Sequence, residues 1–262
     1  MFSSIKRAVE DSIEIYSRRK RVVVNDCNDG KLLATQPFVT RRGTYNDDEA
    51  DDLEEDAEDA PESSLFAALN VLEKLFSEKG IPYAVQGGLA IKLQGNSDRK
   101  THDLDISINT SSQKFQAALE DQKDIQWHEK IAQQLGAGGT KLFLDAKGHK
   151  VLADIFLSTG EFGQDISKAN NINGFKVLDL PTLFKSKLGA FASRGEDKDY
   201  KDLRWMYENK ANDIKGFVTS FSENQRYEFA EACADDVSDD DEVEALYNFI
   251  GIKMSDSDSD SD

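Results

Sequence analysis

Asp103 and Asp105 lie one residue apart in the run Asp103-Leu104-Asp105-Ile106-Ser107-Ile108. Polar and apolar residues alternate there, which predicts a strand with one wet face. Residues i and i+2 of a strand point the same way, so the two carboxylates share that face. Held close together they repel, and one of them tends to keep a proton. A divalent cation relieves the conflict, and an all-oxygen ligand set favours Mg²⁺ or Mn²⁺. The same pair also suits the solvated face of an edge strand with no chemistry attached. Asp154 is the lone acid in Val151-Leu152-Ala153-Asp154-Ile155-Phe156-Leu157. A carboxylate buried in such a strand is costly without a partner. On a strand beside Asp103 and Asp105 it would complete a three-carboxylate site for two cations, one on nucleotide phosphates and one on an attacking hydroxyl. Gly87-Gly88 falls between Pro82–Val85, a short buried strand, and Leu89–Leu93, a short helix. Glycines there let backbone approach a ligand closely, and the free N–H groups of a helix start suit a phosphate. A plain tight turn is the alternative.

The elements that must position these residues can be read around them. A helix is expected from Ser63 or Ser64, through Leu65, Leu69, Leu72 and Phe76, to Gly80. Two further helices fit 111–121 and 126–135. Thr140–Leu144 and Val151–Leu157 flank Ala146-Lys147-Gly148-His149, a hairpin signature. Lys176-Val177-Leu178 reads as a last short strand. Pro181 then opens a helix that carries Phe184, Leu188 and Phe191 on one face and ends at Gly195. More helices fit 197–209, 211–222 and 224–234, and Val243–Ile252 reads as a short one. The expected class is α+β: mixed strands and helices, then a C-terminal helical segment.

Charge divides the chain further. It has 262 residues and a net charge of −18. Residues 47–62 hold 11 acids and no base, and residues 231–262 hold 12 acids and one base. Between them, residues 63–230 balance at 22 of each sign. The expected organisation is a basic, partly ordered N-terminal arm (1–46), an acidic disordered linker (47–62), an α/β core (63–180), a helical segment (181–252) and a disordered Ser-Asp tail (253–262). The arm carries Arg18-Arg19-Lys20-Arg21 and a possible hairpin across Val22–Leu33. Lys and Arg are too few for a protein that coats nucleic acid by neutralising phosphates. Cys27 and Cys233 are too few for a disulfide framework or a Cys-rich zinc site. No apolar run reaches bilayer length, and the N-terminus shows no signal-peptide core. These features favour a cytoplasmic or nuclear protein with no membrane contact.

Two stretches carry a family resemblance. Gln86-Gly87-Gly88-Leu89-Ala90-Ile91-Lys92-Leu93-Gln94-Gly95 and Arg99-Lys100-Thr101-His102-Asp103-Leu104-Asp105-Ile106 resemble the nucleotidyltransferase superfold. The pattern Gly-Gly-x-Ala…Gly…Arg-x-Thr-x-Asp-x-Asp is similar to that of its AbiEii/AbiGii-toxin-like branch. Asp154 then matches the third acid. Downstream, Lys187-Leu188-Gly189-Ala190, Arg194 and Asp199-Tyr200-Lys201-Asp202-Leu203 resemble the helical segment of that branch. The likeness spans roughly residues 63–208. Many members carry Ser at the second turn position, where this chain has Gly88.

The resemblance implies a mixed sheet flanked by helices and transfer of a nucleoside monophosphate from an NTP to an acceptor hydroxyl. Asp103, Asp105 and Asp154 would hold Mg²⁺ or Mn²⁺ and carry the catalysis. Gly87 and Gly88 would cradle the triphosphate, and Lys187 and Arg194 would stabilise charge on it. Lys187 and Arg194 could equally pair with Asp199 and Asp202 and fix helix packing. The acceptor stays open among a small molecule, an RNA end and a protein. The alternative is a catalytically silent member of the fold that docks a basic protein partner through its acidic segments.

Overall fold

The computed structural model describes residues 43–237 and 239–253. Residues 1–42 of the basic arm, with the possible hairpin within it, and residues 254–262 of the Ser-Asp tail lie outside the described residues. Eight strands form one mixed sheet: β1 (Thr44–Tyr45), β2 (Tyr83–Gln86), β3 (Asp103–Ile108), β4 (Ile125–His128), β5 (Thr140–Ala146), β6 (His149–Leu157), β7 (Asn170–Ile172) and β8 (Phe175–Val177). Their order across the sheet is β1-β4-β5-β6-β3-β2-β8-β7. The β3–β6 pair is parallel, while β2–β3 and β5–β6 are antiparallel. Lys147 and Gly148 join β5 to β6 with φ of +51° and +82°. Two successive residues in the left-handed region match the twist of a two-residue hairpin, as the sequence predicts.

Helices α1 (Asp47–Ala57), α2 (Glu62–Lys79), α3 (Gly87–Leu93), α4 (Ser112–Leu119) and α5 (Ile131–Gly136) are interleaved with the strands. α6 (Leu180–Arg194), α7 (Asp197–Ile214), α8 (Glu223–Asp236) and α9 (Asp240–Ile250) follow them. α2 lays Leu65, Leu69, Leu72 and Phe76, all fully buried, across the face of the sheet that carries Ile106, Ala153 and Ile155. It ends at Gly80, whose left-handed φ of +58° lets its N–H reach back to the carbonyl of Phe76. Asp179 caps α6 by accepting from the Thr182 N–H, with Pro181 in the first turn. No described helix is long and apolar enough to cross a membrane.

Several expectations are corrected. Residues 47–57 are a helix, not a disordered linker. Asn46 Oδ1 accepts from the N–H groups of Asp48 and Glu49, and Glu49 Oε2 accepts from the Asn46 N–H. This capping box satisfies the first turn, and the acids at 47–49 suit the positive end of the helix dipole. Ala50, Leu53 and Ala57 form an apolar stripe that packs on Tyr45, Phe143 and Leu152. Like-charge repulsion is therefore offset by caps, contacts and cations that composition does not register. The helix expected over 126–135 is instead strand β4, which pairs with β5, followed by the short α5. α2 is capped at Pro61, ahead of the expected serines. α7 runs on to Ile214, and only a 3₁₀ turn at Val218–Ser220 occupies the helix expected over 211–222.

Candidate active site

β3 and β6 lie side by side, and Asp105 is the direct register partner of Asp154. Asp103, two residues back, pairs with Leu152. Paired residues on adjacent strands point to the same face, so all three carboxylates project from the face opposite α2. Each is half-buried. Burial and the repulsion of Asp103 and Asp154 push the Asp105 carboxyl up to about 7, against the pull of Lys187 and Arg194. Burial pushes Asp154 up to about 6; Lys141 opposes the rise, and Asp103 and Glu54 add to it. The cluster is thus a set of acids short of positive charge.

The two glycines stand at the end of β2, which pairs with β3 so that Gln86 faces Asp105. Gly87 has φ +64°, and a Cβ there would meet Asp105 Oδ2 at 1.8 Å. Only glycine fits both that backbone conformation and that neighbour. A Cβ on Gly88 would meet Thr101 Oγ1 at 2.8 Å and the Arg99 guanidinium at 3.1 Å. Thr101 Oγ1 in turn donates to Asp103 Oδ1 at 2.8 Å. The turn therefore packs directly against the residues that carry and orient the carboxylates.

Lys187 on α6 is buried, with Nζ 2.9 Å from Asp199 Oδ1 and 2.7 Å from Asp202 Oδ2. Arg99 Nε lies 2.6 Å from Asp202 Oδ1. Arg194 meets Asp199 Oδ2 at 2.6 Å, and its side chain stays 43% exposed. Burial raises the Asp199 carboxyl, but hydrogen bonds from Arg194 and Lys187 outweigh it and hold the group below its ordinary value. The packing role anticipated for Lys187 and Arg194 is present: Lys187 pairs with Asp199 and Asp202, and Arg194 with Asp199, while the charge of both reaches Asp105. Arg194 also lies 3.6 Å from Glu196 Oε1, so Lys187, Arg99 and Arg194 are matched by Asp199, Asp202 and Glu196, and the attraction of Lys187 and Arg194 still reaches Asp105.

The structure brings Asp103, Asp105, Asp154, Gly87, Gly88, Lys187 and Arg194 into one region. Three contributors carry no role that the sequence alone assigns. Thr101 and Arg99 fall within the recognised motif, and their partners emerge only in three dimensions. Lys141 on β5 is the register partner of Asp154, and its Nζ pairs with Glu54 Oε2 at 2.7 Å. Among the described residues, no group of three or more His, Cys, Asp and Glu side chains is already arranged to hold a metal ion. The donor set is nevertheless suited to a hard divalent cation: oxygen-only, clustered, and carrying mutual repulsion that such a cation would relieve.

A mixed sheet with an Asp-x-Asp strand, a third Asp on the neighbouring strand and a glycine turn defines a nucleotidyltransferase-like protein. The family described as nucleotidyl transferase AbiEii toxin, type IV TA system, matches residues 70–254, well over half of the chain, and the chain belongs to that family. Comparison with curated proteins gives no match. Among solved structures, the chain is similar to an antigenic nucleotidyltransferase-like protein from Paracoccidioides brasiliensis, at 20% identity and a TM-score of 0.46, covering 74% of this chain and 96% of that one. It is also similar to JHP933 from Helicobacter pylori, at 16% identity and a TM-score of 0.46, covering 72% and 81%. A third similar structure is ANT(2")-Ia in complex with adenylyl-2"-tobramycin, at 15% identity and a TM-score of 0.38, covering 54% and 88%.

Proposed function

We propose that the protein transfers a nucleoside monophosphate from an NTP to an acceptor hydroxyl, releasing pyrophosphate. The observation that carries this reading is the Asp105–Asp154 register pair with Asp103 on the same face. Asp103, Asp105 and Asp154 would hold Mg²⁺ or Mn²⁺, which when bound supplies Lewis-acid stabilisation of the phosphate oxygens and of the attacking oxygen.

The protein's own side chains account for the rest. The acceptor oxygen attacks the α-phosphorus, the bond from that phosphorus to the pyrophosphate oxygen breaks, and the hydroxyl proton passes to Asp154. Burial holds the Asp154 carboxyl above its ordinary value, up to about 6, which suits a group that takes up a proton near neutral pH. Gly87 and Gly88 keep the β2–α3 turn close to Asp105 and would bring its backbone near the triphosphate. Arg194, paired with Asp199 and 43% exposed, would meet the triphosphate. Lys187 has its Nζ committed to Asp199 and Asp202, and acts by holding positive charge behind Asp105.

Transfer of label from an α-labelled NTP, screened over small hydroxyl compounds, RNA ends and proteins, tests the reading. Label transfer by the wild type that falls by about 10²-fold or more in Asp154→Asn supports it, since general-base catalysis contributes that much. Transfer that is unchanged in Asp154→Asn removes Asp154 from the proposed role.

A further inference from the structure

The acidic helix α1 is not peripheral to the site. Its apolar stripe rests on Leu152, which sits two residues before Asp154 on the same face of β6. Asp47, at its start, is pinned by His128 Nε2 and Lys130 Nζ, each at 2.9 Å. One turn before its end, Glu54 reaches Lys141. A cleft of about 500 Å³ between α1 and β5–β6 is lined by Glu54, Lys141 and Asp154. A second, of about 470 Å³, has Glu54 and Asp103 in its wall. Glu54 therefore stands between the two openings that lead to the carboxylates.

Lys141 is the cation that β5 presents beside Asp154, and its electrostatic reach to Asp154 is direct. In this structure its partner is a carboxylate delivered by α1. Both members of that pair are about two-fifths exposed, at 39% and 40%. An ion pair in such a setting is weak and exchangeable. An α-phosphate carries one negative charge over two oxygens, as a carboxylate does, and so meets the same lysine at the same hydrogen-bond geometry. The competitor and the site are thus built from one ion pair.

We propose that Lys141 binds the transferred phosphoryl group of the nucleotide, and that Glu54 occupies Lys141 as an internal competitor which the nucleotide must displace. This rests on the nucleotidyltransferase reading above and adds a residue and a restraint to it. A purely structural Glu54–Lys141 pair would serve only to dock α1, and removing either partner would then act in the same direction. Competition demands opposite directions.

The test is calorimetric titration of the full chain with Mg²⁺ and an α,β-methylene NTP, without acceptor. Circular dichroism checks the fold of each variant. Glu54→Gln should bind about 3–10-fold more tightly than wild type and Lys141→Met about 3–10-fold more weakly, the span expected when the net contribution of one hydrogen bond is gained or lost. In Glu54→Gln/Lys141→Met the tighter binding should vanish, because its beneficiary is gone. Hydrogen exchange of the α1 amides should speed up when the nucleotide binds the wild type. Shifts of the same sign in the two single variants, or no shift in either while wild-type binding still depends on Asp103 and Asp105, would overturn the competition and leave the nucleotidyltransferase reading standing. Absence of nucleotide binding in all variants, wild type included, would overturn both.

Discussion

Lys187 and Asp202 meet at 2.7 Å on one side of the carboxylate cluster, and Lys141 and Glu54 meet at 2.7 Å on the other. The distances are equal, and the surroundings are not. The first pair is 9% and 0% exposed, and the second is 39% and 40% exposed. Distance alone therefore does not rank the two pairs. Water around the second pair screens the attraction and solvates either partner that is released. Around the first, a released partner stays buried and leaves a shared network of Lys187, Arg99, Asp199 and Asp202 one charge out of balance. One side of the site holds cations fixed in a buried network, and the other an ion pair that water reaches.

The comparison predicts its largest effect at the buried side. Asp202→Ala leaves Arg99 and Lys187 short of a shared counter-ion and should destabilise the protein by about 3–5 kcal/mol, the usual range for breaking one partner of a buried pair. Urea unfolding measures it. A loss under about 1 kcal/mol would place Asp202 with the exposed pairs and erase the distinction.

An intermediate effect is expected at the centre. Asp105 has an ordinary value of 3.8 and is raised to about 7 in the folded protein. The folded chain thus keeps a proton that the unfolded chain gives up, and stability falls as pH rises between those values. Asp105→Asn removes that dependence. It should stabilise the metal-free protein above pH ~7 by of order 1–3 kcal/mol, with the benefit shrinking toward pH ~4. Mg²⁺ affinity of the wild type should move oppositely and rise across the same window, because the cation binds the ionised form. Thermal melts at several pH values, with and without Mg²⁺, report both trends.

The smallest effect belongs to the open side. Glu54→Ala should change stability by only about 0.2–1 kcal/mol, and less at high salt. A larger loss would mean that α1 depends on this ion pair, and not chiefly on its cap and its apolar stripe.

The same contrast explains what could be read in advance. Asp103, Asp105 and the Lys147-Gly148 turn are local signals: alternation, spacing, and backbone that needs a left-handed φ. Asp154 is legible as a lone acid in an apolar strand, but its register opposite Asp105 is a tertiary fact. Asp199 and Asp202 are legible as possible partners of Lys187 and Arg194, whereas Arg99 joins that network across 103 residues of sequence. α1 is a different case. The Asn46-x-x-Glu49 box and the Ala50, Leu53, Ala57 stripe are present in the sequence, but eleven acids over 47–62 outweigh them. Its cations, Lys130 and Lys141, lie more than 80 residues away along the chain. Ile125–His128 is too short to separate a strand from a helix by periodicity.

The proposed function makes Asp103, Asp105 and Asp154 a site for a metal-bound nucleotide. It is tested most directly by calorimetric titration of Mg²⁺ and NTP into the wild type and into Asp103→Ala/Asp105→Ala. Binding is expected to require Mg²⁺ and to be lost in the double variant while the fold, read by circular dichroism, is kept. Binding of equal affinity in both proteins, or none in the wild type, would contradict it.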